Sequence, residues 1–226
     1  MPAELTVGLV IPAHQAQAFI AETLADVLAQ DLAPTDVVVV DDGSSDRTGE
    51  IAAAFGPPVR VLRQENAGIG AARNRGVDAV RGDVVAFVDA DDRVPPRSFS
   101  SRVALLAADP SLDLVFGMER RFRRTDEHGP VAEGPARVAH VPGMMVVRRT
   151  ALQRVGPFLE TTGVAEGLDW LLRARELGLR EATVDEHVGW RRLHGANNSL
   201  RNRESISEFA VALKASLDRR RAGGGT

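Results

Sequence analysis

The residues of this chain best suited to chemistry are carboxylates crowded into two short turns. Asp41 and Asp42 stand together in Val40-Asp41-Asp42-Gly43-Ser44-Ser45-Asp46, and Asp89, Asp91 and Asp92 in Val88-Asp89-Ala90-Asp91-Asp92. A helix cap or a turn needs only one Asp or Ser, and adjacent like charges repel unless something organises them. Hard divalent cations take oxygen ligands, and Mg²⁺ typically uses one or two carboxylates while phosphates and water complete its shell. The second turn therefore suits a divalent metal, and the first suits donor groups of a base or ribose. A third segment, Asn66 to Gly76, combines small residues with Arg73 and Arg75. If it opens a helix, its first amides and its guanidiniums can meet an anion, and its small residues let a ligand approach the backbone. Cysteine is absent, so thiolate chemistry and Cys-ligated metals are excluded, and any metal must sit on oxygen or imidazole.

The elements that must hold these turns follow from hydrophobic periodicity. Val7 to Ile11 reads as a strand and Phe19 to Gln30 as a helix, with Ile20, Leu24, Val27 and Leu28 on one stripe. Val37 to Val40 is a β-branched run buried on both faces, and Asp46 or Ser45 caps a second helix that ends before Gly56-Pro57-Pro58. Val59 to Leu62, Ala67 to Val80 and Val84 to Val88 continue as strand, helix, strand. Such βα alternation predicts an α/β domain: a mostly parallel sheet, Rossmann-like, with helices on both faces and ligands outside the carboxyl ends of the strands. Both acidic turns fall at such ends. Beyond them the pattern predicts a helix over 97–108, a strand over 112–122, a surface loop over 123–137, a strand over 138–147, a helix capped by Thr150, and a helix over 166–177 closed by Gly178. One domain over 1–221 is expected, with 1–112 the ligand-binding half, 113–204 a second half, a helix over 205–221 and a disordered Gly-rich tail over 222–226.

Taken in order, Ile11-Pro12-Ala13-His14, Val40 to Asp46, Asn66 to Gly76 and Val88 to Asp92 resemble the signature of family 2 glycosyltransferases, which have the GT-A fold. Glu166-Gly167-Leu168-Asp169-Trp170-Leu171-Leu172-Arg173 is similar to that family's Glu-Asp-x-Asp-φ-x-φ-Arg helix, and Trp190 to Ser199 to its Arg-x-His…Ser segment. The resemblance implies an inverting transfer from a nucleoside diphosphate sugar, with a UDP-sugar the expected donor, to an acceptor hydroxyl of unknown identity. It implies nucleotide-sugar contacts at Pro12, Ala13, His14, Asp42, Gly68, Arg73, Asp89 and Ala90, and Mn²⁺ or Mg²⁺ held by Asp91 and His194. It also exposes a departure: the family's catalytic base is the Asp of Glu-Asp, and here that position is Gly167. Glu166 and Asp169 flank it at i, i+3 spacing and are the candidate catalytic residues, although Asp169 can equally pair with Arg173.

Four other readings stand beside this one. A catalytically impaired nucleotide-sugar-binding protein is motivated by Gly167. A nucleotidyltransferase would show a Gly-rich basic loop after the first strand, and a dinucleotide oxidoreductase a G-x-G-x-x-G there; Pro12-Ala13-His14-Gln15 is neither. A scaffold leaves the strand-end carboxylates unexplained. The net charge of −3 gives no global pull towards nucleic acid, without excluding a local basic patch. No apolar run approaches the roughly 18 residues that suggest a bilayer span, and the N-terminus lacks a basic n-region, so a cytoplasmic protein without a transmembrane segment is expected.

Overall fold

Alternate residues of the β-branched runs are claimed by opposite faces of one sheet. In the computed structural model, which describes residues 5–160, 165–194 and 204–223, β1 (Val7–Ala13) and β2 (Asp36–Asp42) are buried along nearly their whole length. Leu9, Ile11, Val37 and Val39 pack against Ile20, Leu24 and Val27 of α1 (Ile20–Leu28) and Phe99, Val103 and Leu106 of α4 (Ser98–Ala108). Val10, Val38 and Val40 pack on the other face with Ala72 of α3 (Ile69–Ala79), Leu152 of α5 (Arg149–Val155), and Trp170 and Leu171 of α6 (Glu166–Glu176). Each fully buried aliphatic side chain contributes about 1.5–3 kcal/mol, so the two-sided sheet is the main source of stability.

The remaining strands are β3 (Val59–Gln64), β4 (Val84–Phe87), β5 (Leu114–Asp126), β6 (Gly129–Ala132), β7 (Arg137–Val138), β8 (Met145–Arg148) and β9 (Glu181–Arg192). The sheet order is β3-β2-β1-β4-β8-β5-β6, with β7 and β9 also paired to β5. Strands β1 to β4 are mutually parallel, β8 runs antiparallel to β4 and β5, and β9 is parallel to β5. The expected mostly parallel α/β sheet with helices on both faces is therefore present. The remaining helices are α2 (Thr48–Ala53) and α7 (Glu204–Gly223).

Several local expectations are corrected. Residues 123–137 stay at the surface but not as an irregular loop: β5 runs on to Asp126 and turns back as β6, and 133–136 then lead to β7. The strand expected over 138–147 is broken at Pro142–Met144 by a 3₁₀ turn, Pro142 lacking an N–H for a ladder. Helix α5 starts at Arg149 with Arg148 as its N-cap, so Thr150 lies inside it. Strand β9 has no counterpart in the sequence reading, because Glu181 to Glu186 carries charges that mask its alternation. Helix α7 extends to Gly223, past the expected end at 221, and residues 224–226 lie outside those described. The small residues of α3 serve packing: a Cβ on Gly70 would overlap the Leu159 carbonyl, and one on Gly76 would overlap Val10.

Candidate active site

Strands β1, β2 and β4 deliver their motifs to one edge of the sheet, and each acidic turn is organised by donors. Asp41 is 1% exposed and Asp42 is 4% exposed. Asp41 Oδ1 accepts the Ser44 N–H at 2.9 Å. Asp42 accepts the Gln64 side-chain amide at 2.8 Å and the N–H groups of Ala67 and Gly68 at 2.9 Å each. Backbone amides thus supply the compensation that the paired charges require, and they fasten the turn before α3 to the end of β2. Gly43 makes this possible, with φ +74° and space so tight that a Cβ would lie 2.7 Å from Asn66 N. His14 Nδ1 donates to the Asp42 carbonyl at 2.8 Å; since a carbonyl only accepts, the ring carries its proton there. The Asn66 side-chain nitrogen lies 3.3 Å from the same ring. Pro12 and Ala13 are the last β1 residues in register with β2, opposite Val40 and Asp41. The structure therefore brings Pro12, Ala13, His14, Asp42 and Gly68 together.

The second turn is held from both sides. Thr23 Oγ1, fully buried on α1, lies 3.0 Å from the Ala90 carbonyl and 2.8 Å from the Asp92 carbonyl. Ala90 itself belongs to the hydrophobic core. On the other side β9 closes in, as Arg192 donates its backbone N–H to Asp92 Oδ1 and its Nε to the Asp91 carbonyl, both at 2.9 Å. Its guanidinium lies between the rings of Phe19 and Phe122, at 4.8 and 4.7 Å, and Nη2 reaches Glu22 at 2.6 Å. His194, two residues on, places Nε2 2.7 Å from Asp91 Oδ2. Burial, then the charge of Asp89, raises the Asp91 carboxyl above its ordinary range against the pull of His194. Burial and the charges of Asp91 and Asp89 push Asp92 up further.

Helix α6 approaches the same edge through a buried bridge. Arg73, 3% exposed, forms an ion pair with Glu166 Oε1 and reaches Asp89 Oδ1 at 3.1 Å. Glu166 is also buried, and its Oε2 has no hydrogen-bond partner among the described residues. Asp169 is engaged elsewhere: Arg173 Nε is 2.8 Å from its Oδ2 and Arg219 Nη1 of α7 is 3.4 Å from its Oδ1. Of the two flanking carboxylates only Glu166 is joined to the acidic turn. At Gly167 an added Cβ would lie 2.7 Å from Pro142 Cδ, so the Pro142 ring fills the space of a side chain there.

Sequence reasoning missed Thr23, Arg192 and Pro142. The available signals are slight: Thr23 is a hydroxyl beside the apolar stripe of α1, and Arg192 is the Arg of the Arg-x-His segment. Nothing local distinguishes Pro142. For a divalent cation, Asp91 offers the hard oxygen that suits Mn²⁺ or Mg²⁺, and His194 places an imidazole nitrogen beside it. No group of three potential ligands occurs among the described residues, so other ligands would have to come from a bound substrate or water.

The family model "Glycosyl transferase family 2" matches residues 9–156. An uncharacterized glycosyltransferase, EpsJ, of Bacillus subtilis is 37% identical over 125 residues, covering 53% of this chain and 36% of that protein. An uncharacterized glycosyltransferase, alr2836, of Nostoc sp. is 24% identical over 95% of this chain and 73% of that protein. This chain thus spans little more than a third of the length of EpsJ. Among solved structures, S. aureus TarS 1–349 in complex with UDP-GlcNAc superposes with a TM-score of 0.74 at 20% identity, over 93% of this chain and 65% of that one. At that identity the likeness is one of fold. No helix among the described residues is long and apolar enough to cross a membrane. With the family model matching well over half of its residues, the chain belongs to glycosyl transferase family 2.

Proposed function

We propose that the protein transfers a sugar, with inversion, from a nucleoside diphosphate sugar to an acceptor hydroxyl, with Glu166 as the proton acceptor. The observation that carries this reading is the Arg73 bridge, which ties Glu166 to Asp89 at the edge where Asp91 meets His194. The base would lie against Pro12, Ala13 and His14, with Asp42 and Gly68 shaping the wall behind it. Asp89 and the Ala90 backbone would meet the ribose or sugar, and Arg73 acts by orienting both carboxylates. Asp91 and His194 would hold Mn²⁺ or Mg²⁺, which when bound supplies positive charge for the departing diphosphate. Glu166 Oε2, buried and without a partner among the described residues, would remove the acceptor proton as the oxygen attacks, while Oε1 stays on Arg73. A UDP-sugar is the proposed donor because the TarS structure of like fold holds UDP-GlcNAc.

The test is a nucleotide-sugar panel read by thermal shift and by donor turnover, with and without Mn²⁺. Asp91→Asn is expected to abolish Mn²⁺-dependent nucleotide binding. Glu166→Gln is expected to keep donor binding and lose turnover by about 10²–10⁴-fold, with Asp169→Asn much less affected. Full turnover in Glu166→Gln moves the base elsewhere. The closure of position 167 by Pro142 favours a second reading, a nucleotide-sugar-binding protein without transfer; donor binding with no turnover in the unmodified protein decides for it.

A further inference from the structure

The outer part of β5 reads Glu119-Arg120-Arg121-Phe122-Arg123-Arg124, four arginines in six residues of a chain whose net charge is −3. Glu119 is the buried centre of this patch, its side chain 1% exposed. It stands in register with Arg137 of β7 and Gly189 of β9, so all three share one face of the sheet. Arg137 donates to Glu119 Oε1 from Nη2 at 2.8 Å and from Nε at 3.2 Å, and Arg121 Nε approaches the same oxygen at 3.5 Å. Two guanidiniums thus share one carboxylate oxygen, and a positive charge is left over.

The surplus is presented outward. The Arg121 and Arg137 side chains are 39% and 48% exposed, and the Arg121 Nη groups make no hydrogen bond among the described residues. Arg121 also stands in register with Arg191 across β5 and β9, so a further guanidinium lies on the same face of the sheet. This patch adjoins the reaction edge. Met144 packs where a Cβ of Gly189 would be, and Gly143 beside it would bring a Cβ to 4.0 Å from Asp89 Oδ2. A single 3₁₀ turn, Pro142–Met144, therefore separates the arginines from Asp89 and from the Gly167 end of α6.

We infer that Arg121 and Arg137, held by Glu119, seat an oxyanion of the acceptor, a phosphate ester or a carboxylate. A guanidinium matches either group with parallel donors, and the buried Glu119 fixes the pair before the ligand arrives. This inference rests on the transferase reading, since it places the acceptor beside Asp89. It commits to a small oxyanion because two arginines on one buried oxygen form a point-like seat; an extended surface would be met by the arginines of β5 as a whole.

The test uses ligand-observed NMR on the full chain with UDP and Mg²⁺ present, titrating glucose 6-phosphate, glucuronate and glucose. At least one anionic sugar is expected to bind saturably and glucose not at all, and the tighter anion identifies phosphate or carboxylate as the source. Arg121→Gln with Arg137→Gln is expected to weaken that binding at least tenfold while UDP affinity stays within twofold; both side chains are half exposed, so folding is retained. Equal binding by the double variant, or no saturable binding by the unmodified chain, overturns the inference. A UDP titration run first separates the two readings: if UDP fails to bind, the donor reading falls, and the same titrations without UDP judge the oxyanion seat alone.

Discussion

Gly167 acquires its meaning from Pro142. A glycine inside a helix costs up to about 1 kcal/mol relative to alanine, and here the absent side chain makes room for the proline ring that closes the front of α6. Gly167→Asp alone is therefore expected to lower stability by about 1–3 kcal/mol through overpacking, read as a fall in the urea midpoint, without raising turnover. Combined with Pro142→Gly it should regain part of that loss, and only then can a carboxylate at 167 reach the edge. A rise in turnover by the single variant would show that Pro142 yields readily. Asp169 shows the same dependence on surroundings: its i+4 neighbour Arg173 and the distant Arg219 hold its two oxygens, so this carboxylate links α6 to α7.

Among the elements, β2 shows how one residue ties three segments. Asp36 at its start accepts both Nε and Nη2 of Arg60 on β3, at 2.8 and 2.9 Å, and the Arg81 N–H before β4 at 2.7 Å. The Arg60 hydrogen bond, first among the causes, holds its carboxyl below the usual carboxylate range. A carboxyl depressed in the folded state contributes stability that is complete above its unfolded pKa, about 3.9, and is lost as pH falls through the folded value. Asp36→Asn is thus expected to cost about 1–2 kcal/mol at pH 7 and to flatten the loss of stability below about pH 4. Urea unfolding at a series of pH values checks both, and an unchanged acid slope would count against the clamp. Strand β9 is the element that periodicity hid, because bulged pairing with β5 breaks the strict alternation on which a strand is recognised.

At the scale of the whole molecule, the site is assembled by closing the C-terminal half onto the first. Arg192 does much of this, bonding to Asp91, Asp92 and Glu22 while packed between Phe19 and Phe122. Arg192→Ala is expected to cost about 2–3 kcal/mol, a Tm fall of roughly 4–12 °C for a domain of this size. It should also weaken Mn²⁺-dependent nucleotide binding, because the end of β9 leads directly to His194. Nucleotide affinity that survives the loss of stability would remove β9 from the site.

By itself, the sequence determined the parallel framework and the positions of both acidic turns, because runs such as Val37 to Val40 and stripes such as Ile20-Leu24-Val27 encode burial within a few residues. It marked Asp91 and His194, and left Glu166 and Asp169 equivalent. Only the tertiary structure separated that pair and gave Arg73 its partners, since Arg73 meets Glu166 across 93 positions and His194 meets Asp91 across 103. Such pairings depend on which charges the closed sheet buries together, and local periodicity carries no record of them.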